Sequence, residues 1–323
     1  MRTKQLGTTE LNLTALGLGT WALGGPWEVG WGPQDDSEAV GAICAAIDSG
    51  INWIDTAPIY GCGHSEELVG QALKKMSQKP LVATKCGIRW DRNRCKIPCL
   101  RPDSIEQECH ESLKRLGVET IDLYQMHRPE PAEDIEWAWE AMAKLCEQGK
   151  VRYLGVSNCT TEQMDCLSRI APIHSAQPLY SMIHREIEPE LLDYCLEHQI
   201  GIIPYSCMGR GLLTGKFNPT RLANLAQDDH RHRHPDFQAP RFSATLELVN
   251  ELQHLADHDK RTIAQIAIAW TLRRPEITSA IVGARRPEQI IETVQAGDYI
   301  LASEQIEHIE TLLENRLTQI GQA

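Results

Sequence analysis

The chain has 323 residues, 42% of them hydrophobic and 24% charged, and a net charge of −12. That composition excludes a disordered chain, and the acidic balance argues against nucleic acid or an anionic membrane surface as partner. Its 11 cysteines are odd in number and scattered, which is not a disulfide framework and points to a reducing compartment, so a cytoplasmic location is expected. No apolar run reaches membrane-spanning length, and the N-terminus shows neither a signal peptide nor room for a transit peptide.

Residues 4–14 read as a small hairpin around Gly7. From there one theme repeats: a short apolar run, a polar loop, then an amphipathic helix. The strand candidates are 15–19, 51–55, 81–85, 121–126, 152–156, 174–177, 201–205 and 279–283. Helix candidates follow at 37–49, 65–76, 104–116, 133–148, 161–170, 188–198, 243–273 in two pieces, and 287–295. Gly50 is placed to stop the first of them. The strands are continuous apolar runs, as in a parallel sheet covered by helices. Eight such units without a linker predict one (β/α)8 barrel domain over 1–323. An N-terminal hairpin, an extra C-terminal helix at 303–316 and long loops at 22–35, 86–102 and 215–241 complete it. Long loops on the C-terminal face of a barrel carry substrate or cofactor.

Three strand ends carry chemistry. Asp55 closes the second strand, Lys85 the third, and His127 follows the fourth, while Tyr60 lies on the loop after Asp55. A carboxylate closing a buried strand needs a partner. All four converge on one rim, where barrel active sites lie. A lysine ammonium beside a tyrosine favours the phenolate and is expected to pull the tyrosine pKa down. Asp55 would hold that ammonium, and His127 would orient a carbonyl oxygen or relay a proton.

In that order and setting, Asp55, Tyr60, Lys85 and His127 resemble the catalytic tetrad of the aldo-keto reductases. The resemblance extends over Gly17-Leu18-Gly19-Thr20-Trp21, Ser65-Glu66-Glu67, Gly155-Val156-Ser157-Asn158, Arg210-Gly211-Leu212-Leu213-Thr214-Gly215-Lys216 and Gly283-Ala284-Arg285-Arg286-Pro287-Glu288-Gln289. It is greatest to the bacterial branch of general-stress and inositol-operon reductases. It implies an NADPH-dependent reductase of aldehydes or ketones, with NAD the alternative cofactor and a small carbonyl compound as substrate. Two other functions are open within the resemblance. One is a sugar or polyol dehydrogenase; the other is a cofactor-sensing subunit like the potassium-channel β subunits. Nothing in the sequence forces assembly, so a monomer is expected.

The resemblance also implies cofactor contacts. Thr20 and Trp21 stand at the first strand end. Ser157, Asn158 and Gln177 would bind the nicotinamide carboxamide, and Tyr205 would stack on its ring. Ser206, Arg210, Leu212 and Lys216 lie in the stretch that follows the pyrophosphate. Gly283, Arg285, Gln289 and Glu292 lie in the segment that reads the adenosine 2′-phosphate. The family often has Pro-Lys-Ser where this chain has Val282-Gly283-Ala284, which leaves more of the phosphate work to Arg285; the family's Glu-Asn appears here as Glu292-Thr293.

Other clusters are weaker signals. The spacing of His230, His232 and His234 does not group three ligands on a helix, and Arg231 and Arg233 repel a cation, so no metal is expected. Cys86, Cys95 and Cys99 suggest either a redox pair or plain free thiols. Arg92, Arg94 and Arg101 in the same loop suggest either anionic substrates or solvated charge. Trp21 and Trp90 are candidate pocket walls, whereas Trp53 reads as packing.

Overall fold

The computed structural model describes residues 1–321; the last two residues of the expected 1–323 domain lie outside them. Eight parallel strands form the barrel wall: β3 (Leu16–Gly19), β4 (Trp53–Asp55), β5 (Leu81–Cys86), β8 (Ile121–Met126), β9 (Val151–Ser157), β10 (Ser175–Gln177), β11 (Gly201–Ile202) and β12 (Ala280–Gly283). They pair in chain order from β3 to β11, and β12 returns to pair with β3. The last seam is closed by backbone bonds, Thr278 N–H to Ile202 O (2.8 Å) and Ile281 N–H to Pro204 O (2.9 Å). β11 is shorter than the expected 201–205 because Pro204 cannot donate to a ladder.

Helices α1 (Asp36–Asp48), α2 (His64–Lys75), α3 (Pro102–Leu116), α4 (Ile135–Glu147), α5 (Thr161–Ser168), α6 (Leu191–Glu197), α9 (Ile263–Thr271) and α10 (Pro287–Thr293) follow the strands. Their boundaries are written locally. Asp35 caps α1 by accepting from Glu38 N–H at 2.9 Å, and Gly50 sits just beyond its end at φ 92°. Thr160 with Gln163 and Thr262 with Gln265 form capping boxes on α5 and α9. α8 (Arg241–Asp259) and α11 (Ser303–Gln319) pack on each other outside the repeat, with the buried Arg316 Nε donating to Thr245 Oγ1 at 2.9 Å. α11 runs three residues beyond the expected 316.

The two long loops are more structured than expected. Residues 86–102 contain a hairpin, β6 (Ile88–Trp90) with β7 (Lys96–Pro98), anchored where Gly87 N–H donates to buried Glu108 at 3.1 Å. Residues 215–241 hold the short helix α7 (Pro219–Ala223) and tight turns at His230–Arg233 and Pro235–Phe237.

The barrel interior follows strand alternation. Trp53, Ala83, Leu123, Ile203 and Ile281 point inward and meet Leu6, Leu11 and Leu13 from the N-terminal hairpin, β1 (Thr3–Gln5) with β2 (Asn12–Thr14). The hairpin therefore plugs the bottom of the barrel. Trp53 needs room that only glycine leaves: a Cβ on Gly17 would stand 2.0 Å from its indole. The indole N–H donates to Ser279 Oγ at 2.9 Å, so Trp53 packs as expected and ties β4 to the start of β12. Trp53→Phe is expected to destabilise the fold by about 2 kcal/mol, through a cavity and an orphaned serine, read as a lower urea midpoint at unchanged slope.

Candidate active site

Two residues further up the same inward columns, the side chains become polar. Asp55 follows Trp53, Lys85 follows Ala83, Gln125 follows Leu123, and Gln177 lies on β10. All four are buried. Such a layer is stable only if each group is paired. Lys85 Nζ donates to Asp55 Oδ2 at 2.6 Å, to Thr56 O at 2.9 Å and to the Tyr60 hydroxyl at 3.1 Å. An ammonium has three donors, so none is left over. The other Asp55 oxygen accepts from Gln125 Nε2 at 3.1 Å and from Gln177 Nε2 at 2.8 Å. Because Tyr60 accepts from Lys85, its own O–H is free to donate upward into the cleft.

The electrostatics differ from the sequence expectation at one point. Burial pushes the Tyr60 pKa up to about 12, Lys85 works against that rise, and Asp55 adds to it. The expected net lowering is therefore not found: the site is too deep for one lysine, itself shared with a carboxylate, to outweigh desolvation. Burial would lower Lys85, but Asp55 and Tyr60 more than compensate, so its pKa is raised and it stays an ammonium. His127 is held well below its usual pKa by burial, then by Lys85, Arg128 and Lys96, and is neutral at pH 7. Its ring stands edge-on to Tyr60, centroids 5.7 Å apart. A neutral imidazole donates from one ring nitrogen and accepts at the other, so His127 can orient a carbonyl oxygen by donating to it.

Above this layer lies a cleft of about 680 Å³ along the C-terminal rim, with Tyr60 and His127 in its wall. Trp21, Ser157, Asn158, Gln177, Tyr205 and Ser206 line its central part. Arg210, Lys216, Gly283, Arg285, Gln289 and Glu292 line its far part. Two of the expected residues are not part of its lining. Leu212 is wholly buried in the main apolar core, and Thr20 is wholly buried beneath the rim, its hydroxyl on Asp55 O at 3.2 Å. Tyr205 is pinned by its hydroxyl on Asn158 Oδ1 at 2.8 Å, and Asn158 in turn donates to His127 O at 3.1 Å. Asn158, Ser206 and Arg210 adopt φ of 61°, 61° and 55°. Such φ values are uncommon outside glycine and carry backbone strain.

The donor set fits a nicotinamide dinucleotide. A fixed aromatic face and amide groups stand beside Tyr60, and Arg210, Lys216, Arg221, Arg231, Arg285 and Arg286 line the far half, where phosphates would lie. Arg285 is already engaged, however. Its Nε donates to Gln34 Oε1 at 2.6 Å, one Nη to Trp31 O at 3.2 Å, and the other to Pro33 O. The histidine-rich stretch closes the same side: Arg231 stacks on Trp31 at 4.1 Å, and His230 faces Trp21 at 5.0 Å. Among the described residues no group of three or more His, Cys, Asp or Glu side chains is placed to hold a metal. No helix among them is long and apolar enough to cross a membrane.

Sequence reasoning missed several participants. Gln125 was readable as a polar residue on the inward face of an otherwise apolar strand. Gln34 had no local signal, because its partner Arg285 lies some 250 positions away. Trp27 and Trp31 line the cleft with Trp21, whereas Trp90 packs beside Trp27. Cys86, Cys95 and Cys99 do not form one cluster: Cys86 is buried against Met142, Cys95 is exposed at the hairpin turn, and all three are free thiols.

A family model described as "Aldo/keto reductase family" matches residues 15–314. The "Aldo-keto reductase YhdN" of Bacillus subtilis is 39% identical over 98% of this chain and 95% of its own length. The "NADH-specific methylglyoxal reductase" of Escherichia coli is 35% identical over 92% of this chain and 93% of its own. The solved glycerol dehydrogenase AKR11B4 from Gluconobacter oxydans superposes with a TM-score of 0.87 at 37% identity, covering 99% of this chain and 96% of that one.

Proposed function

The chain belongs to the aldo/keto reductase family, and on that premise we propose that it is an NADPH-dependent oxidoreductase that reduces aldehydes or ketones to alcohols. The observation that carries the reading is the Lys85 ammonium, shared among Asp55, Thr56 O and Tyr60. It leaves one proton, that of Tyr60, directed at the cleft.

When bound, the reduced nicotinamide supplies the hydride to the carbonyl carbon. Tyr60 gives its proton to the carbonyl oxygen, which becomes the alcohol. Lys85 stabilises the resulting phenolate, and Asp55 holds Lys85 with the help of Gln125 and Gln177. His127, neutral and edge-on to Tyr60, donates to the carbonyl oxygen and fixes its position. Asn158 and Ser157 are suited to the carboxamide, Tyr205 to the ring, and the arginines of the far cleft to the phosphates. A tyrosine at about 12 is protonated at neutral pH, which favours reduction. Oxidation of a polyol, the activity in the name of the Gluconobacter relative, needs the phenolate and would speed up as pH rises.

NADPH rather than NADH rests on Arg285 and Arg286 at the far end of the cleft. A specific observation favours NADH as the second reading: Arg285 already donates to the 31–34 loop, and one relative is named as NADH-specific. Fluorescence titration with each nucleotide separates them. For NADPH, Arg285→Ala is expected to weaken binding by about 10- to 100-fold, the size of a charged hydrogen bond, and to leave NADH binding little changed. Tighter binding of NADH by the unaltered protein would assign Arg285 to the loop alone.

A further inference from the structure

The charges around the cleft are not evenly placed. Its acidic lining groups are Asp35, Glu38 and Glu292 toward the far end, and Asp55 already paired beneath the rim. Near Tyr60 and His127 the charged lining groups are cations only, Lys96 from the 88–98 hairpin and Arg128 directly after His127. Lys96 has no ion-pair partner among the described residues. Arg128 has one, Glu130, at 4.0 Å, the outer limit of an ion pair. Glu28 comes near Lys96, but its carboxylate accepts from the Lys96 backbone N–H at 2.7 Å.

Lys96 and Arg128 share the cleft lining with Tyr60 and His127, and Arg128 follows His127 directly in the chain. Burial holds the His127 pKa down, and Lys85, Arg128 and Lys96 add to that in the same direction. A third donor belongs to the same wall. Trp27 is buried beside Tyr60, ring centroids 6.2 Å apart, and its indole N–H has no partner. Buried donors without acceptors are uncommon in folded proteins. The reacting end thus offers an ammonium and a guanidinium, with an unpartnered indole N–H buried in the wall behind them.

We propose that the substrate is a carbonyl compound bearing an anionic group, a carboxylate or a phosphate, held by Arg128 and Lys96. The inference rests on the reductase reading above. A guanidinium fork matches either anion, and a lysine adds a point charge that tolerates varied geometry. The hairpin carrying Lys96 and the strand end carrying Arg128 bracket the anion, so the carbonyl is presented to Tyr60 from a fixed distance. Arg92, Arg94 and Arg101, singled out from the sequence, do not line the cleft; Arg94 donates to Gly61 O at 2.7 Å, and Arg101 is paired with Asp103.

The test compares charged and neutral substrates of similar size with the preferred nucleotide. Succinic semialdehyde is set against butanal, and glyceraldehyde 3-phosphate against glyceraldehyde. In at least one pair the charged member is expected to have a kcat/KM higher by about tenfold or more, as two charge-assisted contacts require, mainly through KM. The ratio should fall with added salt, since Lys96 and Arg128 are exposed. It should collapse toward one in the Lys96→Gln, Arg128→Gln double variant, and Arg128→Lys should keep part of it. A preference within only one pair identifies which anion is bound and upholds the proposal. Equal turnover of charged and neutral members overturns it while leaving the reductase reading intact, and so does a preference that survives the double variant. If none of the four is reduced with either nucleotide, the reductase reading falls, and this inference with it.

Discussion

Tyr60→Phe is expected to lower kcat for carbonyl reduction by about 10²–10⁴-fold, the usual contribution of a positioned proton donor, with nucleotide binding unchanged. The substitution removes one oxygen from a half-buried ring and leaves Lys85 with Asp55 and Thr56 as acceptors, so stability changes little. Nucleotide fluorescence titration and stopped-flow reduction separate binding from chemistry. The pH profile supplies a second reading of the same group. With its pKa raised to about 12, Tyr60 is protonated below that value, so reduction should be flat through neutral pH and decline only in strong alkali. Oxidation of an alcohol should climb over the same range. A Tyr60→Phe protein that keeps full turnover would remove the tyrosine from the mechanism.

Lys85→Met is expected to damage both fold and catalysis. It leaves Asp55 buried and ionised without its partner, which costs about 3–5 kcal/mol of stability. Gln125 and Gln177 still donate to one oxygen, but the oxygen that faced Lys85 loses its contact. Turnover should fall by about 10²-fold or more, because the phenolate formed on Tyr60 loses its counter-charge. A double variant, Lys85→Met with Asp55→Asn, distinguishes the two effects. Removing the stranded charge should recover much of the lost stability in urea denaturation, without recovering turnover. If the double variant is as unstable as the single one, the pair contributes packing rather than charge compensation.

Much of this arrangement was legible in the chain. The eight strand runs, the helix stop at Gly50 and the rim positions of Asp55, Lys85 and His127 follow from local patterns of period two or 3.6 and from one glycine. The hairpin Ile88–Trp90 with Lys96–Pro98 was not, because three-residue strands in a polar loop are too short to show alternation. The pKa of Tyr60 was not either, since neighbouring charge can be read from residue order but depth of burial cannot. Leu212 looked like part of a binding segment by its neighbours, yet its side chain turns into the core between Arg210 and Lys216, which face the cleft. The engagement of Arg285 with residues 31–34 joins distant parts of the chain through backbone carbonyls, which any residue supplies and no motif announces.

The seam between β3 and β12 bears on how the molecule comes into being. The first barrel strand leaves the ribosome early, but its neighbour on one side, Ala280–Gly283, is among the last segments made. Trp53 likewise waits for Ser279, and the plug formed by Leu6, Leu11 and Leu13 waits for Ile203 and Ile281. During most of synthesis these apolar groups have no finished interior to enter. Half-made chains therefore present both an open strand edge and an unfilled barrel floor, the two features that recruit other chains or chaperones. The barrel closes only once residues 279–283 are present, and a chain cut short before residue 280 should be recovered as aggregate, not as a smaller folded piece.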